Sequence, residues 1–452
     1  MSSEFGVRKL ALCVAIVLQL FSSCQAQPGS KVRLGSIFEE PPYLMVGNDG
    51  LLSCMRLFLD LGACKYAQTV ALGNVAVVAN QTSVVATKLE QSGRMIYGTH
   101  LVDTLFDEGY NIVKIFCPEH GFRGTAEAGA KVDNSTDPKT GIPIISLYGK
   151  NKKPTPEQMK DIDVVIFDLQ DVGCRFYTYI STLHYVMEAC AENNVPLIVL
   201  DRPNPNGHYV DGPVLDTATC RSFVGMHPVP IVYGMTIGEY AMMINGEGWL
   251  NVGRQHLAGK NSTDAGKMPA VQQCDLTVVP MQGYKRDSVG YELPVPPSPN
   301  LRNAHAIALY PSLCLFEGTN VSVGRGTDSP FEIIGIPGNL CTWIELGSAF
   351  SIAGQWIPSC TFKTNDGKTY YGINLHSINV PAKFDLSYIL TMYSLTKKGQ
   401  FFLKTNFFDK LAGTTELSKQ IESGMSEEEI RASWQPALDE FMKIREKYLI
   451  YR

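Results

Sequence analysis

The chain has 452 residues, of which 45% are hydrophobic and 18% are charged, a composition typical of a folded globular protein rather than a disordered or fibrous one. Its length is sufficient for about two or three domains. Because the net charge is −5 and the lysines and arginines are scattered, the sequence predicts no nucleic-acid surface and disfavours tight binding to anionic membranes.

Residues 1–26 are predicted to be a secretory signal peptide. Two basic residues precede the uncharged apolar run 10–21. This run is far shorter than the roughly 20 residues that a membrane-spanning helix needs, and small polar residues follow it. The segment Phe21-Ser22-Ser23-Cys24 also resembles a bacterial lipoprotein box. We therefore expect a secreted or periplasmic protein without a transmembrane segment, either cleaved after Ala26 or lipid-anchored at Cys24.

Two of the 12 cysteines, Cys13 and Cys24, lie in the signal, and the other ten are widely spaced without a C-x-x-C pair. A zinc site is therefore not expected. In an exported protein Cys54 and Cys64 are the nearest candidates for a disulfide, although the sequence leaves the pairing open. Cys190 and Cys314 lie in apolar runs and are predicted to be small buried side chains.

Residues 27–68 show weak periodicity, and no role is assigned to them. From residue 69 onward, short apolar runs alternate with helical patterns. Strands are predicted at residues 70–79, 112–117, 142–148, 164–169 and 195–200, and helices at 99–108, from 155 and at 179–193. This alternation predicts an α/β fold in which helices cover both faces of a parallel sheet.

Polar loops follow three of the predicted strands. They contain carboxylates, a histidine and three arginines. In chain order these loops are Glu119, His120 and Arg123, then 168–171 with Arg175, then 201–204, which includes Arg202. Parallel strands deliver their carboxyl ends to one edge of the sheet, and ligands bind just beyond that edge. The three loops are therefore expected to converge on a site. The alternative is that their charges are merely solvated.

No G-x-G-x-x-G turn follows a predicted strand, and no G-x-x-x-x-G-K-[ST] loop occurs in the chain. Neither dinucleotide binding nor P-loop nucleotide binding is therefore supported. We expect no cofactor.

The second half of the chain begins at a polar, glycine-rich stretch, 251–270, and the predicted domain boundary lies between residues 260 and 261. Beyond it, a strand is predicted at 276–281 and an amphipathic structural helix at 426–448. Between them, Glu317 and Arg325 repeat the earlier combination of a carboxylate, a guanidinium and closely spaced glycines. The alternative for this segment is a glycine-rich turn with an exposed arginine.

Six motifs, all in the same order along the chain, carry a resemblance to one family. They are PEHGFRG from Pro118, DLQDVG from Asp168, RFYTY from Arg175, DRPNP from Asp201, PSPNL from Pro297 and FEGTN from Phe316. From about residue 70 to the C-terminus, the chain resembles the exo-β-N-acetylmuramidases of the NamZ type, long known as a domain of unknown function. The resemblance implies a Rossmann-like catalytic domain over residues 69–260 and a smaller α+β auxiliary domain over residues 261–452.

The resemblance also implies an activity, the removal of non-reducing terminal N-acetylmuramic acid from peptidoglycan fragments. Muramyl saccharides are then the expected partners. The catalytic glutamate of the family lies in its Pro-Glu-His-Gly motif, which falls on Glu119. Tyr233 stands where a histidine is frequent in the family, which puts a polar contact with the substrate in doubt.

A glycosidase needs an acid at the leaving oxygen and a second group at the anomeric carbon. Glu119 is predicted to be the general acid/base, and His120 either orients it or titrates in catalysis. The second group stays open between an aspartate and the acetamido carbonyl of the substrate. Arg175 or Arg325 would pair with the lactyl carboxylate of muramic acid. The predicted substrate-binding residues are Arg123, Asp168, Gln170, Asp171, Arg175, Tyr177, Asp201, Asn204, Asn300, Glu317 and Arg325.

Two other functions stay open from the sequence. A metal-dependent hydrolase would recruit His120, Asp168 and Asp171, but these residues lack a recognisable ligand spacing, and no metal ligand is predicted. A non-catalytic cell-wall sugar-binding protein would use the same loops to hold a saccharide without an acid.

Overall fold

The computed structural model describes residues 67–89, 95–123, 133–250, 273–287, 292–341, 350–352, 355–365 and 367–451. The predicted signal peptide 1–26, the candidate anchor Cys24, the candidate disulfide residues Cys54 and Cys64, and nearly all of segment 27–68 lie outside the described residues. Within the described part of the chain, no helix combines the length and the apolar character that crossing a membrane requires.

Helices and short buried strands alternate through the first domain, as predicted. The described elements are α1 (Ala67–Leu72), β1 (Val75–Ala79), β2 (Val84–Leu89), β3 (Met95–His100), α2 (Leu101–Asp107), β4 (Ile112–Cys117), β5 (Ser135–Thr136), β6 (Pro143–Ser146), α3 (Pro156–Met159), β7 (Val164–Asp168), α4 (Tyr179–Asn193), β8 (Leu197–Leu200), α5 (Ile237–Gly246) and β9 (Leu276–Val279). Seven strands form one sheet in the order β5-β6-β4-β1-β7-β8-β9.

The neighbouring strands of this sheet are parallel, except for the short edge strand β5. Strands β2 and β3 form a separate antiparallel pair. Every residue of β1, β7 and β8 is buried, as expected of strands that are covered on both faces. The predicted α/β fold with a parallel sheet is confirmed.

Two elements of the first domain differ from the prediction. The predicted strand 70–79 begins as helix α1, which ends where the Gly73 amide donates to the Thr69 carbonyl over 2.8 Å, and β1 starts only at Val75. Strand β9 lies beyond the predicted boundary between residues 260 and 261, yet it pairs with β8 in the main sheet. A parallel neighbour is reached through a long crossover connection, so it can come from sequence on the far side of a polar stretch.

The second domain contains both helices and antiparallel strands. Its described elements are α6 (Ala304–Leu313), a 3-10 helix (Cys314–Gly318), β10 (Ile333–Pro337), β11 (Phe350–Ile352), β12 (Gln355–Ile357), β13 (Ser359–Lys363), β14 (Thr369–Asn374), α7 (Ser387–Leu395), α8 (Phe407–Ala412), α9 (Glu416–Glu422) and α10 (Glu427–Glu446). Strands β10, β14 and β13 form an antiparallel sheet in that order, and β11 pairs with β12. The predicted smaller α+β domain is confirmed.

One apolar core continues from the sheet domain into the second domain. Phe167 of β7 and Phe331 of the second domain belong to the same buried cluster. Cys190 and Cys314 lie in this cluster as well, and both are buried as predicted. Because the two domains share a core, residues from both can line one site.

Three helices begin at a Ser or Thr cap residue that is followed three positions later by Gln or Glu. Thr155, Thr236 and Ser426 each accept a hydrogen bond from the backbone amide three residues later, and the Gln or Glu there reaches back to the cap amide. These capping boxes start α3, α5 and α10.

Candidate active site

The loop that follows β4 reverses direction within a few residues. His120 has a φ angle of 73° and Gly121 one of 76°, and the Gly121 amide donates to the Pro118 carbonyl over 3.2 Å. A positive φ is uncommon for a residue other than glycine and persists where the surrounding structure holds it. The turn brings Glu119 and His120 to the wall of a cavity beyond the carboxyl end of the strand.

This cavity has a volume of about 320 Å³ and lies between the two domains. Its wall combines two carboxylates and a guanidinium with many aromatic rings. From the first domain come Glu119, His120, Tyr148, Phe223 and residues 176–179, and from the second come Tyr310, Glu317, Arg325, Phe331, Phe407 and Leu411.

Two hydroxyl groups hold the Glu119 carboxylate. Thr178 Oγ1 donates to Glu119 Oε2 over 2.9 Å, and the Tyr148 hydroxyl also hydrogen-bonds to Glu119. Burial, with the nearby negative charge of Glu119, raises the pKa of Tyr148, so its phenol stays protonated and acts as a donor. The carboxylate is therefore fixed on the cavity wall, as a group that exchanges a proton with a bound ligand must be.

Glu317 and Arg325 form an ion pair on the second-domain wall. Arg325 Nε lies 2.6 Å from Glu317 Oε1, and the guanidinium carbon lies 5.1 Å from the centre of the Phe331 ring. Burial raises the pKa of Glu317 against the opposing charge of Arg325, and the negative charge of Glu119 adds to the rise. Arg325 Nη1 is buried and has no hydrogen-bond partner among the described residues, so part of the donor capacity of this guanidinium is unused.

Aromatic rings form much of the remaining wall. Tyr177 and Tyr179 meet edge to face with their centroids 4.7 Å apart, and both hydroxyls donate to the Pro297 carbonyl. Asn300, in the same proline-rich loop, is buried, and its backbone amide donates to the Oγ of Ser298 over 3.3 Å. Tyr177 and Ser298 line the cavity, whereas Asn300 supports Ser298.

Known proteins of similar sequence share this two-part arrangement. A family model described as exo-β-N-acetylmuramidase NamZ, N-terminal, matches residues 75–305, and one described as its C-terminal part matches residues 308–451. The chain belongs to the NamZ family. The peptidoglycan β-N-acetylmuramidase NamZ of Bacillus subtilis (strain 168) is 43% identical to it over 366 residues, which are 77% of this chain and 82% of that protein. The predicted resemblance and the predicted glycosidase class are confirmed.

Two solved structures resemble this NamZ-family chain. Both are DUF1343 family proteins from Bacteroides fragilis NCTC 9343, 38% and 28% identical to it, and each has a TM-score of 0.69. Each likeness covers 90% of this chain and 99% of the other. The shared fold therefore includes both the sheet domain and the second domain.

Asp168 and Asp201, both predicted NamZ site residues, are fully buried and are not among the described residues that line the cavity. Both Asp168 oxygens accept from Arg202, over 2.6 and 3.0 Å. Asp201 Oδ2 accepts from the hydroxyls of Thr236 and Tyr451, over 2.8 and 2.6 Å. Burial raises the pKa of Asp201 to about 6. These two carboxylates connect loops within the protein.

Asp171 lies in the loop after β7 and is also outside the described cavity lining. Its Oδ2 accepts from the Gly173 amide over 2.7 Å and from the Tyr233 hydroxyl, whereas its buried Oδ1 has no partner among the described residues. Burial raises the pKa of Asp171 to about 6, because removal from water penalises the charged form more than the hydrogen bonds from Tyr233 and Gly173 stabilise it. Tyr233, where the NamZ family often has a histidine, is fully buried against Asp171.

Three more of the predicted binding residues contact protein groups. Arg123 pairs with Asp137 over 2.9 Å and with Asp103 over 3.2 Å. The side-chain amides of Gln170 and Asn204 donate to backbone carbonyls over 2.6 to 2.8 Å. None of the three is among the described lining residues, so the fold does not bring them to the Glu119 cavity.

Arg175 is fully buried at the junction of the two domains. Its guanidinium donates, over 2.7 to 2.9 Å, to the backbone carbonyls of Pro213, Val229, Leu411 and Ala412. Burial lowers the pKa of Arg175 to about 10. Because two of these carbonyls end α8 and Leu411 lines the cavity, Arg175 holds the second-domain wall against the first domain.

Among the residues that the structure describes, no three His, Cys, Asp or Glu side chains are grouped closely enough to hold a metal ion. The aspartates that a metal-dependent hydrolase would recruit have other partners: Arg202 for Asp168, and Tyr233 for Asp171. His120 lines the cavity beside Glu119. The described cavity residues therefore supply the chemistry of a carboxyl group, an imidazole and a guanidinium.

Sequence reasoning missed Tyr148, Thr178 and Phe223 as site residues. Tyr148 ends the predicted strand 142–148, and Thr178 lies inside the RFYTY motif. The position of each in the sequence could therefore have indicated a site residue. Phe223 lies in a loop away from any predicted strand or motif. Only the fold brings it to the cavity.

Proposed function

We propose that the chain is an exo-acting glycosidase that releases non-reducing terminal N-acetylmuramic acid from peptidoglycan fragments, with Glu119 as general acid and base. The name of the Bacillus subtilis relative, a peptidoglycan β-N-acetylmuramidase, supports the reaction and the substrate class. The single observation that carries the catalytic assignment is that Glu119 lines an interdomain cavity whose other wall carries Arg325.

In this proposal Glu119 protonates the oxygen that links the muramic acid to the rest of the fragment. Cleavage of a glycosidic bond requires such an acid, because an alkoxide leaves poorly. Thr178 and Tyr148 hold the carboxyl group in one orientation through their hydroxyls. His120 lines the same cavity and would either orient Glu119 or carry a proton.

For the group that stabilises the anomeric carbon, we favour the substrate's own 2-acetamido carbonyl over a carboxylate of the protein. The aspartates considered for this role are engaged elsewhere by Arg202, Tyr233 and Tyr451. Glu317 lines the cavity but is paired with Arg325. After the leaving group departs, Glu119 would take a proton from the water that attacks the anomeric carbon.

Arg325 is our candidate for recognition of muramic acid. The lactyl carboxylate is the group that distinguishes this sugar from N-acetylglucosamine, and a guanidinium can bind a carboxylate through two parallel hydrogen bonds. Arg325 lines the cavity and has a buried Nη1 without a partner among the described residues. Arg175, the other candidate, already donates to four backbone carbonyls and is fully buried.

The test compares Glu119→Gln with the wild type on two substrates, the disaccharide N-acetylmuramyl-β-1,4-N-acetylglucosamine and β-N-acetylmuramyl fluoride. The quantity compared is kcat/KM, which reports the steps up to cleavage of the bond to the leaving group and not the later attack of water. The disaccharide needs a protonated leaving oxygen, so its kcat/KM should fall about 100- to 10,000-fold. Fluoride leaves readily without a proton, so the loss of kcat/KM on the fluoride should be much smaller.

Glu416→Gln is the matched control, since Glu416 lies on the surface, where it pairs with Lys419. This variant should keep wild-type turnover on both substrates, and circular dichroism should show that both variants are folded. Wild-type turnover of the disaccharide by folded Glu119→Gln would move the acid to another residue. Equal losses on both substrates would mean that Glu119 does not act as the acid.

Export is also part of the proposal, and the signal over residues 1–26 lies outside the described residues. The support is the sequence pattern of a basic start, an apolar run and small residues. The mass of the mature chain tests it: cleavage after Ala26 and a lipid-modified N-terminal Cys24 give different masses. A mature chain that still begins at Met1 would contradict both.

A further inference from the structure

Tyr148 and Phe223 form an aromatic shelf on the first-domain wall of the cavity. Their ring centroids lie 6.3 Å apart, and the Phe223 ring is nearly parallel to that of Tyr185, at an angle of 17°. The Lys152 ammonium nitrogen lies 4.3 Å from the centre of the Phe223 ring. Tyr148 and Phe223 are both partly exposed, so the shelf offers aromatic surface to a ligand in the cavity.

The backbone that carries Phe223 is anchored. Ser222 and Gly225 exchange two backbone hydrogen bonds, of 2.8 and 3.1 Å, which close a tight turn around Phe223. The Ser181 hydroxyl on α4 donates to the Phe223 carbonyl over 2.7 Å. A ring on an anchored turn loses little conformational freedom when a ligand packs on it.

The shelf lies next to the proposed general acid, because the Tyr148 hydroxyl is hydrogen-bonded to Glu119. A general acid must lie within hydrogen-bond reach of the bridging oxygen, and the first ring of the leaving group is attached to that same oxygen. Arg325 contacts Glu317 and Phe331 on the other wall. With the muramic acid held at Arg325, the space beside Tyr148 is left for the leaving group.

A second hollow is the competing location for the leaving group. This groove of about 620 Å³ is lined in part by Asn339 and Lys368, and it shares Glu317, Arg325 and Phe407 with the cavity. Neither Glu119 nor its partners Tyr148 and Thr178 are among the described residues that line the groove. A ring attached to an oxygen beside Glu119 is therefore closer to the shelf than to the groove.

We propose that the aromatic shelf binds the first ring of the leaving group, which in a peptidoglycan fragment is an N-acetylglucosamine residue. This assignment rests on the proposed function and extends it to the second sugar. The apolar face of the sugar ring packs on Tyr148 and Phe223. The shelf then makes the enzyme selective for muramides that carry a sugar as leaving group.

The experiment measures kcat/KM of Phe223→Ala and wild type on the muramyl disaccharide and on β-N-acetylmuramyl fluoride, whose leaving group is too small to reach the shelf. The ratio of the disaccharide value to the fluoride value should fall about tenfold in the variant, mainly through KM, which is a usual effect of losing one aromatic contact. Phe106→Ala, a matched change at an exposed position of α2, should keep the wild-type ratio. Phe223→Leu conserves most of the volume and replaces the alanine variant in the test if that variant unfolds.

An unchanged ratio in folded Phe223→Ala or Phe223→Leu overturns the proposal. A fall of the ratio in Lys368→Ala, without one in the Phe223 variants, assigns the leaving ring to the groove and overturns it too. Failure of the wild type to cleave either substrate contradicts the proposed function itself, and the shelf assignment falls with it. The two failures are therefore distinguishable.

Discussion

Replacing Arg175 with methionine should destabilise the protein rather than remove a contact with substrate. Four backbone carbonyls accept hydrogen bonds from this fully buried guanidinium, two in each domain. A hydrogen bond from a charged donor contributes about 1.5–3 kcal/mol, but the cost of burying the charge offsets much of the total. The pKa of Arg175, lowered by burial to about 10, reflects that cost. We expect the free energy of unfolding to fall by about 3–5 kcal/mol, the usual effect of breaking a buried charged network.

Gly413 gives an independent perturbation of the same contact. A Cβ at Gly413 would lie 2.4 Å from Arg175 Nη2, whereas a Cβ at Gly424 would have nothing within 4 Å. The two glycines have nearly equal φ angles, +78° and +75°. Alanine at either position therefore has the same backbone strain, about 1 kcal/mol. The free energy of unfolding should fall clearly more in Gly413→Ala than in Gly424→Ala, because only the alanine at position 413 forces the Arg175 guanidinium to move.

The assay is urea unfolding of all three variants, followed by tryptophan fluorescence, together with kcat/KM on the muramyl disaccharide. A stable Arg175→Met protein that has lost turnover would refute this reasoning, and Arg175 would then be the substrate contact that the sequence first suggested. Equal stability of Gly413→Ala and Gly424→Ala would also contradict the structural role of Arg175.

Two further predictions concern Arg325 and the buried aspartates. Arg325→Lys keeps the positive charge but loses the planar guanidinium with its paired donors. The ratio of the affinities for N-acetylmuramic acid and for its lactyl methyl ester, measured by calorimetry, should therefore be about tenfold lower in this variant than in the wild type. An unchanged ratio would count against Arg325. The pKa values of Asp171 and Asp201 are about 6 in the folded protein, above the unfolded value of about 4. Their stabilising contribution is therefore complete below pH about 4 and is lost as the pH rises through about 6, by roughly 3 kcal/mol per carboxyl. As the pH rises from about 4 to about 6, the urea midpoint of unfolding should fall less in Asp201→Asn than in the wild type. Parallel curves of midpoint against pH for the two proteins would contradict the prediction.

Much of the architecture could be predicted because its signals are local. The helix predicted at 179–193 is α4, with the same bounds, and Thr155, Thr236 and Ser426 begin helices through capping boxes formed within one turn of chain. The fully apolar segments became strands buried on both faces, because only a parallel sheet covered by helices removes both sides of such a strand from water. The position of Glu119 just after β4 could be predicted in the same way, from the end of the apolar segment that forms this strand.

The sequence by itself therefore determined the order of strands and helices, the parallel sheet and the loop that carries Glu119. Only the tertiary structure decided which polar side chains face the cavity: Asp168 and Glu119 both follow apolar strands, yet Asp168 is engaged by Arg202, 34 residues away. It also decided that Arg175 donates to the Leu411 carbonyl, 236 residues away. Periodicity and caps act between residues that are close in sequence, whereas burial and hydrogen-bond partners depend on residues that meet only once the chain has folded.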